Sequence, residues 1–459
     1  MEAQILTGKI LMNLTKGIVS LLFTFVIMMV TTKGMALQTF ILLGEKSYAL
    51  FKNSFADIWI LVMLGILVIA TLFSRRNMKN EIYTFPIFSL LSLLTVILIS
   101  SIINMDVSSN FSRSFWILFS SYMPFFVLLI VDAFKIDKVN TKVVFRFLVV
   151  FNIFQMILGV VQYIKTDPIF AVYYKGEPIL NPVFYLNGAS SSNSYFLAMG
   201  AKVRAFGMTD SGLTLGLIAL FMLSVVIFSE KLNKTFKILF SILCFAAIYM
   251  TLTRVIYLAS LVLLFFAYLI KTNKYKLLKL SYFITLGIQI LLITVFQEAA
   301  YVIVNFVTNG AWNLDSLKSR IDGVHFFWNI SNMNIWKFLF GSNITARLNS
   351  LQSAYSIDNE FFKIFLDIGI VGYLILIIFF TKVVFKYLRE ILDKKDKNGI
   401  ETSFVCFLLT FPFLGISNVV NYFYLPMLTI LVLTRGYDYI QKKNLITYSN
   451  ENFKYISKK

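Results

Sequence analysis

Arg204, Arg254 and Arg320 are the side chains of this sequence best suited to holding a phosphate. Arg254 is the most informative. It interrupts the apolar stretch Ile248 to Ile270 within Thr251-Leu252-Thr253-Arg254, where a charge is costly unless it snorkels to the interface or has a partner. A guanidinium group suits a phosphate because its planar fork donates two parallel hydrogen bonds and stays charged when partly buried. A pyrophosphate carried on a lipid would be such a partner. Snorkelling to headgroups, or pairing with a carboxylate of a connecting segment, is the alternative. Arg204 opens the run Arg204-Ala205-Phe206-Gly207-Met208-Thr209-Asp210-Ser211-Gly212, which supplies a backbone-permissive glycine and helix-capping residues just before an apolar stretch. Free N–H groups at such a helix start can bind an anion; plain capping accounts for Asp210 or Ser211 but not for Arg204.

Proton transfer needs a base, and the candidates are Asp358 and His325. In Ser319-Arg320-Ile321-Asp322-Gly323-Val324-His325, a helix puts Arg320 and the only histidine within about one and a half turns. An imidazole is a competent base, although a lone histidine is more often structural, and His325 ranks second. Asp358-Asn359-Glu360 precedes an apolar run, so Asp358 and Asn359 can serve as helix caps. A carboxylate there could also take a proton from an attacking hydroxyl, with Asn359 holding the acceptor. Asp367, inside the following run, is either a helix-packing polar group or a partner for an arginine.

The elements that must position these residues are transmembrane helices. The chain has 58% apolar residues, 14% charged residues and a mean hydropathy of +0.78, values that fit a bilayer rather than water as solvent. No alternating strand pattern suggests a barrel. Most of the net charge of +19 comes from lysines in loops that alternate along the chain, a topology signal that argues against nucleic acid as a partner. Cys244 and Cys406, the two cysteines, sit far apart within apolar runs, and one histidine is too few for a metal centre, so no metal or cofactor is expected.

Apolar runs long enough to cross about 30 Å of hydrocarbon predict spans at 15–32, 56–73, 84–104, 115–133, 144–164 and 211–229. Six more follow at 236–252, 255–271, 278–296, 361–384, 402–417 and 421–437. The first run lacks a clear small-residue cleavage site and is expected to be retained. Lysine and arginine clusters, from Lys9 and Lys16 through Arg75, Arg76 and Lys79 to Lys382–Lys397, mark every second connection as cytoplasmic. About twelve helices in one membrane domain, with both termini inside, satisfy all of them. The long connections 165–210 and 297–360 then lie outside, and the second, with helix-like stretches and Trp312, Trp328 and Trp336, is expected to fold as a helical cap. With no cytoplasmic domain and no Gly-x-x-x-x-Gly-Lys loop, the substrate is expected to arrive already activated.

Four elements, in order, resemble the O-antigen polymerase and O-antigen ligase superfamily, most closely its Wzy-type capsular or exopolysaccharide polymerases. They are Arg204-Ala205-Phe206-Gly207; Leu252-Thr253-Arg254; Arg320 with Trp328, then Phe338-Leu339-Phe340-Gly341; and Asp358-Asn359-Glu360-Phe361-Phe362 followed by Asp367-Ile368-Gly369-Ile370-Val371-Gly372. The resemblance runs from about residue 200 to 385. Asp358 stands where the ligases carry a histidine regarded as the base, which favours a polymerase.

The resemblance implies an all-α polytopic, GT-C-like membrane protein of the bacterial plasma membrane that joins undecaprenyl-pyrophosphate-linked oligosaccharides at the outer face. Arg204, Arg254 and Arg320 would neutralise the departing pyrophosphate, and Asp358 would act on the acceptor hydroxyl. Chain-length regulator and flippase proteins are the partners it implies. Two rivals remain, a ligase using another acceptor and a flippase for the same lipid. Against the flippase, no clear internal repeat is present and the polar residues gather in two loops rather than along a path.

Overall fold

The computed structural model describes residues 84–105, 111–134, 141–165, 169, 173–174, 177–178, 204–209, 212–230, 232–294, 315–346, 357, 359–394 and 399–415, with Gly17 and Ser20. Helices α1 (Thr84–Ile103), α2 (Phe111–Phe134) and α3 (Thr141–Lys165) occupy the third to fifth expected spans. Then come α4 (Gly212–Phe228), α5 (Lys234–Met250), α6 (Arg254–Lys271) and α7 (Tyr275–Thr294), each within a few residues of its expected window. Helices α8 (Asp315–Ser331) and α9 (Ile335–Phe340) lie in the second long connection, and α10 (Glu360–Lys394), α11 (Ile400–Leu409) and α12 (Phe411–Leu414) follow. Expected spans 56–73 and 421–437, and all of 15–32 except helical Gly17 and Ser20, lie outside the described residues. Among the described residues the departure from an all-helical fold is a small antiparallel pairing of β1 (Tyr173–Tyr174) with β2 (Glu177–Pro178) in the first long connection.

Four described helical segments are long and apolar enough to cross a membrane: Phe85–Ile103, Val144–Lys165, Arg254–Lys271 and Glu360–Lys386. Gly212–Phe228 and Glu401–Leu414 are shorter apolar helices. Helix α4 is the centre of the bundle, since its sequence has no polar stripe and almost every residue is buried. It packs against α3, α5, α6 and α11. Close approach depends on glycine here: a methyl group on Gly216 would stand 2.7 Å from Ile256 Cγ1 of α6. Outward faces of α5 and α6 carry Leu239, Ile242, Phe245, Leu258, Leu261 and Phe265, exposed apolar side chains suited to lipid.

The expected span 361–384 is broken. Gly369 has φ +67° and ψ −175° within α10, so two helical pieces meet there at a kink. The carbonyls released by the break are satisfied from elsewhere: Ser342 donates to Leu366 O through its backbone N–H (2.7 Å) and its hydroxyl (3.0 Å), and Ser100 Oγ donates to Asp367 O at 2.9 Å. Helix α9 ends at Gly341, whose φ of +94° turns the chain into this gap. The expected span 402–417 is likewise divided, at Thr410 between α11 and α12.

Candidate functional site

One end of the bundle gathers the C-terminal ends of α3 and α5 with the N-terminal ends of α4 and α6. There the Arg204 segment is held as a fixed loop. Gln162 of α3 accepts the N–H groups of Phe206 (3.1 Å) and Gly207 (2.8 Å) at Oε1 and donates Nε2 to Gly207 O (2.8 Å). Gln155, two turns earlier, accepts Met208 N at 2.6 Å. Gly207 is at φ +62°, and a methyl group there would stand 2.6 Å from Gln155 Oε1, so glycine is required on both counts. Neither glutamine was singled out from the sequence. Both sit within an apolar run, and a polar side chain there with a fixed job is the signal that could have found them.

The same loop is tied to the turn that carries Arg254. Ala205 N donates to Met250 O at 2.9 Å, and a methyl group on Gly212 would stand 3.1 Å from both Ala205 O and Thr251 O. Two arginine-bearing segments fifty residues apart therefore share a backbone contact. Arg204 is half-buried. Tyr257 stacks on Tyr249 with centroids 6.4 Å apart and donates its hydroxyl to Tyr249 O at 2.6 Å; Tyr163 meets Tyr249 edge-on.

Arg254 is the exposed first residue of α6. A cation at a helix N-terminus opposes the macrodipole, and the first N–H groups of a helix have no acceptor within it. The hydroxyl of Thr253, in the cap position, accepts from none of them and instead donates to Thr251 O at 3.0 Å, while the Thr253 carbonyl accepts Ile256 N at 3.0 Å. Leu252 in the same turn is at φ +50°, a strained conformation for a residue that carries a Cβ. The turn thus presents the N–H groups of Arg254 and Val255 and a guanidinium group at one point, a combination suited to an anion.

The remaining candidates are on other elements. Helix α8 forms over the stretch expected to be helical, but five residues separate Arg320 from His325, which places the two positions about 140° apart around the helix. His325 is exposed. Asn359 caps α10, its Oδ1 accepting Phe362 N at 3.0 Å, which fixes the orientation of its amide. Glu360 beside it is buried at the start of the helix, and its N–H donates to Gly415 O at 3.0 Å. Asp358, Asp210 and Ser211 lie outside the described residues. Among the described residues no group of three His, Cys, Asp or Glu side chains could hold a metal ion.

Asp367 is resolved as a packing group. It is fully buried and its carboxylate accepts Thr345 N (2.8 Å), Thr345 Oγ1 (2.7 Å) and Tyr122 Oη (3.1 Å). Asn104 Nδ2 donates to Gly341 O at 3.0 Å, binding α1 to the same junction. Trp328 of α8 stacks on Phe365 with centroids 6.2 Å apart, and Phe338 of α9 meets the same ring edge-on at 5.4 Å. The Leu339-Phe340-Gly341 and Asp367-Ile368-Gly369 elements, separate in sequence, are one interlocked structure.

Apolar helices of this length, number and packing define a multi-pass membrane protein. Residues 239–377 match the O-antigen ligase family, a similarity that supports a relationship to the O-antigen ligase and polymerase superfamily. The matched stretch runs from α5 to the kinked part of α10. It includes Arg254, Arg320, His325, Asp358 and Asn359 and leaves Arg204 upstream. No curated protein sequence matches the chain.

Proposed function

We propose that this protein polymerises oligosaccharide repeat units carried on undecaprenyl pyrophosphate, at the outer face of the bacterial plasma membrane. An acceptor hydroxyl oxygen attacks the anomeric carbon of the donor glycan, the bond from that carbon to the pyrophosphate oxygen breaks, and undecaprenyl pyrophosphate leaves. Arg204 and Arg254, with Arg320, stabilise the negative charge that develops on the leaving group. Asp358 takes the hydroxyl proton, with His325 as the second candidate, and the Asn359 amide orients the acceptor. The residues of the second long connection, α8 and α9 among them, form the cap over this site.

The observation that carries this reading is the hydrogen bond from Ala205 N to Met250 O, which joins the Arg204 loop to the uncapped, arginine-bearing start of α6. Its orientation is supported by charge. The opposite end of the bundle carries Lys279, Lys382, Lys386 and Arg389, as a cytoplasmic end should.

The test is an assay of purified full-length protein with lipid-linked repeat units as the sole glycan. Wild-type protein yields a polymer ladder. Losing one guanidinium contact to a developing charge costs about 3 kcal/mol, so Arg254→Ala and Arg204→Ala should each slow elongation on the order of 100-fold at normal expression. Normal ladders from both variants would overturn the assignment. The family description favours one other reading, a ligase, which would yield product only after a second, non-repeat acceptor is added.

A further inference from the structure

At the end of the bundle opposite Arg254, the start of α1, the start of α7 and the last turns of α10 enclose a cleft of about 690 Å³. Its walls are apolar and aromatic, with Phe85, Phe379 and Phe385 prominent, and none of its described lining residues is acidic. Lys279, Lys382, Lys386 and Arg389 line it as well. The last three follow one another at spacings of four and three residues, which aligns them along a single face of α10. Lys382 Nζ lies 3.5 Å from the centroid of the Phe85 ring, and Lys279 Nζ lies 5.8 Å from that of Phe385, so both ammonium groups are held against aromatic faces. One membrane-length segment begins at Phe85 and another ends at Lys386, which puts the cleft where hydrocarbon gives way to headgroups.

We propose that this cleft is a binding site for an anionic phospholipid of the membrane. The headgroup phosphate sits among the four cations, and an acyl chain lies along Phe85 and Phe379. Four cations lining one cleft attract a single anion together. Cations serving topology alone need no shared cleft, and a small soluble anion would leave the aromatic walls wet. Only an amphiphile with a negative head satisfies both parts of the lining.

The test uses the full chain in detergent and native mass spectrometry, titrated in turn with phosphatidylglycerol, phosphatidylcholine of identical chains, and inorganic phosphate. Phosphatidylglycerol should be retained at least fivefold more strongly than phosphatidylcholine, with no comparable retention of inorganic phosphate. The double variant Lys382→Gln with Arg389→Gln should lose at least fivefold in phosphatidylglycerol retention. Lys271→Gln with Lys274→Gln, which removes two exposed charges from the corresponding end of α6, should stay within twofold of wild type. Equal retention of the two lipids, equal loss in both double variants, or equal retention of inorganic phosphate would overturn the proposal. Should the first double variant fail to fold, Lys279→Gln alone is read by the same criteria, expecting at least a twofold loss.

Discussion

Gly341 and Gly369 hold two backbones in mutual contact: a methyl group on Gly341 would overlap the Asp367 carbonyl, and one on Gly369 would overlap the Leu339 carbonyl. Both have positive φ, so conformation and space each demand glycine. The end of α9 is thereby seated in the break of α10, which fixes where the segment after Gly341 re-enters the bundle.

Replacing either glycine should be costly. Gly341→Ala or Gly369→Ala combines a strained φ with a backbone overlap and should lower stability by about 2 kcal/mol or more, from the 1–3 kcal/mol typical of strained backbone. Gly287→Ala is the control. It meets nothing within 4 Å on α7, and alanine there is neutral or slightly stabilising. Melting temperatures of the three variants in one detergent check this, and equal values for all three would remove the interlock as a stabilising feature.

Asp367 should behave as a structural residue. Asp367→Ala strands the Thr345 N–H and two hydroxyl donors, and each unsatisfied buried group costs about 1–3 kcal/mol. Tyr122→Phe removes one donor and should cost about 1–2 kcal/mol. Thermal unfolding measures both. Elongation per folded molecule should be unchanged in Tyr122→Phe, and a large loss there would assign the Asp367 junction a part in the chemistry.

Gln162 should act on elongation through Arg204. Gln162→Ala removes three hydrogen bonds from the Phe206–Gly207 backbone, so the Arg204 loop loosens while the bundle stays folded. Trypsin should then cut after Arg204 several-fold faster than in wild type, and ladders should shorten. Gln155→Ala, which removes one bond, should give a smaller effect in the same direction. Unchanged cleavage with shortened ladders would contradict this positioning role.

The base is tested by a pair of isosteric changes. Asp358→Asn keeps capping ability and should slow elongation by about 100-fold, within the range for loss of a general base. His325→Gln, on the exposed face of α8, should leave ladders close to wild type. The reverse outcome would transfer the role to His325, and full activity in both would exclude a side-chain base at either position.

Helix positions were legible in the sequence because hydropathy is a local property. The runs at 84–104, 144–164 and 255–271 became α1, α3 and α6 within a few residues, and the Thr251–Arg254 interruption became the turn between α5 and α6. The helix-like character of part of the second long connection was legible for the same reason. Gly369 and Gly372 look alike in the sequence, yet only Gly369 breaks its helix, because only there does another backbone, that of Leu339, arrive to fill the gap.

Composition and periodicity by themselves determined that this chain is a stack of apolar helices with arginines at chosen helix ends, since burial in lipid selects residues one run at a time. The tertiary structure alone decided which polar groups answer one another. Asp367 meets Tyr122 from 245 residues away, and Gln162 clamps a loop more than forty residues later. Such pairings follow from which helices pack together, and hydropathy, being blind to distance along the chain, carries no record of that choice.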